Sequence, residues 1–307
     1  MRIPPVVMLL LFPALASAAP KKPAPPPPAD TSAYCIYGAQ SGKSFHGEAA
    51  FKSIIWKSDV IYIGEEHVRA KDQLAQLEAL KALKIARGNK IAVGFEMLDA
   101  TFQPILDSYA AGNITEEAFL SGTGWNETWG VDFAIYKPLF DFVVLNKLKA
   151  LALNIPRKIV SKAARTGLEG LDPEERRLIP EKITLPKHKK YLDYLKSAFG
   201  AQPSAMSSVF TWDNYLISMS AWNESMGARV ADFVNANPGW AVLVLAGNGR
   251  VMYNAGVPAS VKSRVPGVRQ ASFYTEDSPR CPPVFPKDRR DLANYVWFID
   301  HSTQTVK

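Results

Sequence analysis

Four short apolar runs, each halted at a glycine or an asparagine and followed by polar residues, leave this chain few ways to fold. Val60-Ile61-Tyr62-Ile63 stops at Gly64, and Leu74, Leu77, Leu80 and Leu83 then recur at helical spacing. Lys90-Ile91-Ala92-Val93 stops at Gly94, with helical sequence resuming over 102–110. A helix over 138–149 leads into Leu151-Ala152-Leu153, Asn154 and Pro156. The strongest strand signal, Trp240 through Leu245, ends at Gly247-Asn248-Gly249-Arg250. Parallel strands need crossover connections, which these helices supply, so the expected fold is α/β: a mainly parallel sheet flanked by helices. Residues 171–238 carry no strand signal but contain helical stretches over 191–199 and 212–235, and they read as a helical insertion or cap. The segments 268–275 and 295–299 read as weaker edge strands.

With 307 residues, 47% hydrophobic and 21% charged, the chain has enough apolar surface for a large core, which excludes disorder as its main state. A single domain over 35–307 is expected. The net charge of +7 comes from 36 basic residues scattered among 29 acidic ones. The local cluster of Lys187, Lys189 and Lys190 beside His188 reads as a solvated helix face, so no nucleic-acid partner is expected.

Arg2, an apolar run over 6–12, Pro13 and Ala16-Ser17-Ala18 compose a secretory signal peptide over 1–18. That run is too short to span a membrane, and no cysteine stands near the cut to carry a lipid, so a periplasmic or secreted protein is expected. Residues 19–34, with four consecutive prolines, read as an extended spacer. An oxidising compartment leaves two options for the two cysteines, Cys35 and Cys281: a disulfide joining the ends of the domain, or a pair of buried thiols.

The candidate chemistry sits where the runs stop: Glu65, Glu66 and His67, then Glu96, then Asn154, then Asn248 and Arg250. In an open parallel sheet the carboxyl ends of the strands form the ligand crevice, so these distant segments should converge. His67, one of four histidines, lies near Glu65 and Glu96 in this scheme. The three suit a divalent metal such as iron or manganese, or an imidazole whose pKa carboxylates raise for acid–base work. The plainer alternative is a helix start, where the dipole favours Glu65 and Glu66.

Taken together, Gly64-Glu65-Glu66-His67, Gly94-Phe95-Glu96-Met97-Leu98, Tyr136-Lys137-Pro138-Leu139 and Leu153-Asn154-Ile155-Pro156-Arg157 resemble the ChaN-like haem-binding proteins. Trp222-Asn223-Glu224-Ser225-Met226, Leu245-Ala246-Gly247-Asn248-Gly249-Arg250 and Gly256-Val257-Pro258 continue the pattern, so the resemblance runs from about Val60 to Pro258. It implies the α/β fold shared with Tiki and erythromycin-esterase-like proteins, a role in haem or iron acquisition, and porphyrin held at a homodimer interface. By motif position, Glu65, His67 and Glu96 line the pocket, with Tyr136, Asn154 and Arg157 beside it. Tyr136 is the tyrosine expected at the iron, with Tyr62 and Tyr253 as alternatives. Where the family usually has His, this chain has Arg250, which cannot ligate a metal but suits a haem propionate or another small acidic ligand. Trp125, Trp129 and Phe133 are candidates for an apolar haem wall or for core packing.

Two other functions fit the same residues. One is a metal-dependent hydrolase of esterase or peptidase type using Glu65, His67 and Glu96. The other is an interaction protein that kept the fold and lost activity, with Arg250 marking the loss. A binding protein is expected over an enzyme.

Overall fold

Strand residues that point alternately to opposite faces are buried on both faces here, because helices cover the sheet above and below. The computed structural model describes residues 34–67, 69–201 and 210–299. The expected signal peptide, and the spacer apart from Tyr34, lie outside the described residues. Seven strands are described: β1 (Cys35–Gly38), β2 (Val60–Glu65), β3 (Ile91–Asp99), β4 (Lys149–Asn154), β5 (Ala241–Gly247), β6 (Gln270–Asp277) and β7 (Tyr295–Ile299). They form one sheet in the order β1-β7-β6-β2-β5-β3-β4, with every pairing parallel except that of β1 with β7.

Ile61, Ile63, Leu243 and Leu245 enter one core with helices Glu48–Lys57, Ala70–Arg87, Gln103–Ala110 and Phe133–Leu145. Val60, Tyr62, Val242 and Val244 enter the other, with helices Arg157–Thr166, Lys189–Gly200, Trp212–Ala236 and Val257–Arg264. The α/β reading is therefore correct.

Several sequence expectations need correction. The segments assigned to edge strands are interior, as β6 and β7, because the four-residue β1 covers that edge antiparallel to β7. Helix Trp212–Ala236, in the segment read as an insertion or cap, packs on the sheet and buries Met219, Trp222, Met226 and Val230 in the second core. The leucine stripe drifts off the buried face of Ala70–Arg87: Leu80 and Leu83 are fully buried, whereas Leu74 is 44% exposed. A spacing of three falls short of the 3.6-residue turn, so the buried face instead runs through Asp72, Gln73, Gln76 and Ala79. The helix expected over 138–149 runs from Phe133 to Leu145, capped by the Asp132 side chain, which accepts from Ala134 N at 2.9 Å. Lys147, with φ of 50°, turns the chain back toward β4.

The basic cluster is solvated as expected, with Lys189 paired to Asp193 and Lys190 to Asp291 on exposed surface. No described helix is long and apolar enough to cross a membrane.

Cys35 and Cys281 form a disulfide across a separation of 246 residues. In the chain-entropy picture, closing so long a loop contributes about 5 kcal/mol. Reduction, or the pair Cys35→Ser and Cys281→Ser, should lower the unfolding free energy in urea by that amount while leaving the native circular dichroism spectrum. An unchanged urea midpoint would contradict this reading.

Candidate functional site

Register brings the polar residues together. The parallel pairing of β2 with β5 sets Glu65 opposite Gly247, and β5 also pairs with β3 up to Phe95 opposite Leu245. Between Phe95 and Asp99 the pairing of β3 with β4 is irregular, and Glu96 sits in that interruption. Such bulges re-aim side chains at strand ends. Here Asn154 at the end of β4 donates from Nδ2 to the freed Glu96 carbonyl at 2.7 Å.

Glu65 is buried, and four donors surround it. Oε1 lies 2.7 Å from His67 Nδ1 and accepts from Tyr136 Oη at 2.7 Å, while Oε2 accepts from Gln73 Nε2 and Gln76 Nε2, each at 2.8 Å. Glu96 forms the second anchor. Its Oε2 accepts from Gly247 N at 2.6 Å and its Oε1 from Arg250 Nε at 2.7 Å. The Arg250 guanidinium lies 3.7 Å from the Trp222 ring centroid, and its Nη1 reaches Asn223 Oδ1 at 3.4 Å. Asn223 in turn donates to Tyr191 Oη at 3.0 Å, and Trp222 Nε1 donates to Asn154 Oδ1.

Close approach explains two glycines. A Cβ on Gly247 would lie 2.9 Å from His67 Cε1 and 3.1 Å from Nε2, so the imidazole occupies the place a side chain would take. A Cβ on Gly64 would lie 2.1 Å from Asn248 Oδ1, which accepts from Thr275 N at 3.1 Å and so ties the end of β5 to β6.

Burial alone would lower the His67 pKa, but the hydrogen bond and charge of Glu65 outweigh it and hold the imidazole above its ordinary value. Burial pushes Glu65 up, yet the hydrogen bond and charge of His67, with the Tyr136 and Gln73 bonds, bring it below its ordinary value. Asp72, which accepts from Glu66 N at 2.8 Å, is pushed up to about 7 by burial, with the Glu65 charge adding to the shift.

All the expected site residues except Arg157 have bonded positions within this network, and their accessibility separates them into two groups. Glu65, Glu96, Asn154, Tyr136 and Arg250 are buried, whereas His67 keeps a third of its side chain open and Arg157 is exposed. Tyr136 therefore does not present its oxygen to a ligand: it is 0% exposed and its hydroxyl donates to Glu65. Tyr62 is equally buried inside β2. Tyr253 lies outside the cluster and stacks on His188 at 4.9 Å.

The expected Glu65–His67–Glu96 metal set is hydrogen-bonded within the protein. Both carboxylates spend their oxygens on the donors just named, and among the described residues the three are not a group of mutually close ligand atoms. Glu65 and Glu66 do not open a helix, because β2 ends at Glu65 and the next helix starts at Ala70.

Of the expected aromatic wall, Trp125 and Phe133 pack in the core against Phe140. Trp129 alone reaches the site, meeting His67 edge-on at 4.7 Å with the Arg157 guanidinium 5.6 Å from its ring centroid. Gln73, Gln76, Asn223 and Tyr191 were not expected here. Their one signal was polarity on the buried faces of helices, which becomes visible only once those faces are known.

Two cavities, of about 680 Å3 and about 340 Å3, adjoin each other at His188, Tyr253 and Asn254. The smaller reaches Asn223, the partner of Arg250, but neither is lined by Glu65, His67 or Glu96. The converging charged and imidazole groups, rather than either of these hollows, mark the candidate site.

A parallel α/β sheet with a carboxylate–imidazole pair and a buried carboxylate–guanidinium pair at its strand ends defines the class. Residues 54–261 match the family described as haem-binding uptake, Tiki superfamily, ChaN, and the chain belongs to that family. The fold is similar to that of ChaN of Campylobacter jejuni, a cofacial haem binder: the TM-score is 0.64 at 18% identity, covering 87% of this chain and 96% of that one. The type III effector HopBA1 aligns with a TM-score of 0.48 at 10% identity, covering 82% of this chain and 92% of that one. An erythromycin esterase EreC variant in its open conformation aligns at 0.45 and 14%, covering 79% and 77%. No curated protein matches the sequence.

Two measurements check the site's construction. Arg250→Met leaves Glu96 buried without its cation and should cost about 3–5 kcal/mol in urea unfolding, with Glu96→Gln added to it restoring much of the loss. No restoration would show that the two side chains act independently. In the folded protein the His67 ring protons should titrate above 6.5, and Glu65→Gln should lower that midpoint. By linkage, the His67 contribution to stability is full below its unfolded pKa and lost as pH rises through the folded one. The Glu65 contribution is present above its unfolded pKa and lost as pH falls through its depressed one. A His67 midpoint unmoved by Glu65→Gln would contradict this coupling.

Proposed function

We propose that this chain is an exported, periplasmic or secreted haem-binding protein that serves haem or iron acquisition, and that porphyrin binds at the carboxyl ends of the strands. The observation that carries the reading is the Glu65–His67 pair. Nδ1 is engaged by a carboxylate at 2.7 Å, which leaves Nε2 as the ring nitrogen that would hold the iron. A carboxylate behind a ligating histidine sets its tautomer and raises its basicity.

The surrounding residues fit a haem. Gly247 leaves room for the His67 imidazole, Trp129 meets that ring with an apolar edge, and the exposed Arg157 supplies a cation for a propionate. When bound, haem would supply an iron centre that a side-chain nitrogen can ligate. Tyr136, Gln73 and Gln76 hold Glu65 in place, while Asn154 orders the backbone at Glu96. We assign Arg250 to neutralising Glu96 rather than to a propionate, because its Nε already meets that carboxylate. Since C. jejuni ChaN binds haem cofacially, we further propose that two copies pair over the ligand.

Haemin titration of the mature protein should give a saturable Soret shift. His67→Ala should lower the affinity at least about tenfold and Arg157→Ala more modestly, because metal-site shells commonly govern affinity on that scale. Equal affinity in His67→Ala would overturn the assignment, and no saturable shift in the wild type would overturn the haem reading itself. The same carboxylate–imidazole pair has the geometry of a general base. Turnover of an ester, lactone or peptide panel by the wild type, lost in Glu65→Gln, would replace haem binding with hydrolysis.

A further inference from the structure

We infer that the Cys35–Cys281 disulfide is the closed form of a soft-metal site completed by His46. One sulfur from each cysteine and one nitrogen of His46 all lie within 4.8 Å of one another. Cys281 Sγ stands 3.6 Å from His46 Nδ1 and 3.9 Å from Nε2. Cys35 is buried, whereas His46 and Cys281 are half-buried, so the cluster is held by the core yet reachable from solvent.

The three residues are mounted by contacts other than the sulfur–sulfur bond. Cys35 is in β1, which the β7 ladder holds opposite Phe298. The turn after β1 folds back on the strand, with Phe45 N donating to Ile36 O at 2.7 Å and Ser44 bridged to Tyr37. The Tyr37 ring meets His46 edge-on at 5.3 Å, and its hydroxyl donates to Pro282 O beside Cys281. Opening the disulfide therefore leaves both sulfurs and the imidazole on supported backbone. The site is separate from the haem candidate, because β7 and β6 stand between β1 and β2, and it does not rest on the haem reading.

Two thiolates and one imidazole are a soft, mixed donor set of the kind that selects zinc or cuprous ion over magnesium or calcium, with a fourth position left for water. The oxidised form lacks thiolates and so lacks the site. Conversion needs a dithiol reductant. Its two electrons break the Cys35–Cys281 bond, its own sulfurs join as a disulfide, and its two protons pass to the released sulfurs. A divalent cation then displaces those protons as two metal–sulfur bonds form.

The test uses the full chain, reduced with dithiothreitol, freed of reductant without air and titrated with cobalt(II) as the spectroscopic probe. The expected result is one cobalt per chain with sulfur-to-cobalt charge-transfer absorption, reversed by zinc and absent from the oxidised protein. The band should survive His67→Ala, whereas His46→Ala should weaken cobalt binding about tenfold or more. A reduced, folded chain without the band would overturn the proposal, as would equal affinity in His46→Ala. Circular dichroism on the reduced sample closes the remaining route: loss of the fold on reduction would also overturn it, because the donors would then have no common frame.

Discussion

A carboxylate buried where a parallel sheet ends has to be neutralised, and the way Glu96 meets that requirement organises this molecule. Isolated charges are costly away from water, so Glu96 takes the Gly247 amide from the neighbouring strand and the Arg250 guanidinium from the turn beyond it. Arg250 sits over the Trp222 ring and reaches Asn223, which binds helix Trp212–Ala236 to the strand ends. Asn154 closes the circuit from β4 by bonding to the Glu96 carbonyl and accepting from Trp222. One buried charge thus recruits groups from β3, β4, β5 and a helix of the second layer.

Glu65 plays the matching part on β2, with a different consequence. Its partners are neutral donors and one imidazole, so its charge is spent on fixing and polarising His67. The two carboxylates therefore divide the work: Glu96 closes the sheet end, and Glu65 prepares the one ring that still faces outward. Trp129 and Arg157 sit beside that ring, where a buried aromatic edge and an exposed cation meet. Substituting the guanidinium of Arg250 for an imidazole is consistent with this division, because a permanent cation suits a buried counter-ion and not a metal ligand.

The opposite flank obeys another constraint. β1 is short and antiparallel, with only β7 to hold it, and a strand so placed gains little from the ladder. The disulfide to Cys281 adds to the contacts of the following turn and restrains a loop that spans most of the chain. Cys35 and Cys281 were legible as a possible pair, whereas His46 beside them was not, because a turn of eight residues after β1 decides where its ring lies.

Local pattern alone determined the α/β class, the strands at Val60, Ile91 and Ala241, and the placing of Glu65, His67, Asn154 and Arg250 where strands stop, whereas β3 runs past the expected stop at Gly94 and holds Glu96 in its bulge. Each follows from short-range rules: β-branched runs, glycine stops and the need of parallel strands for helical crossovers. What tertiary structure decided was which of these residues stay accessible. Tyr136 looks like a ligand in the sequence and becomes a buried donor, Arg250 looks like a clamp and becomes a counter-ion, and Gln73 and Gln76 emerge from a helix face that the leucine spacing misplaced. Accessibility and pairing depend on strand order, register and the bulge at Glu96, which bring together groups as far as 182 residues apart in the chain. No window of sequence contains that information.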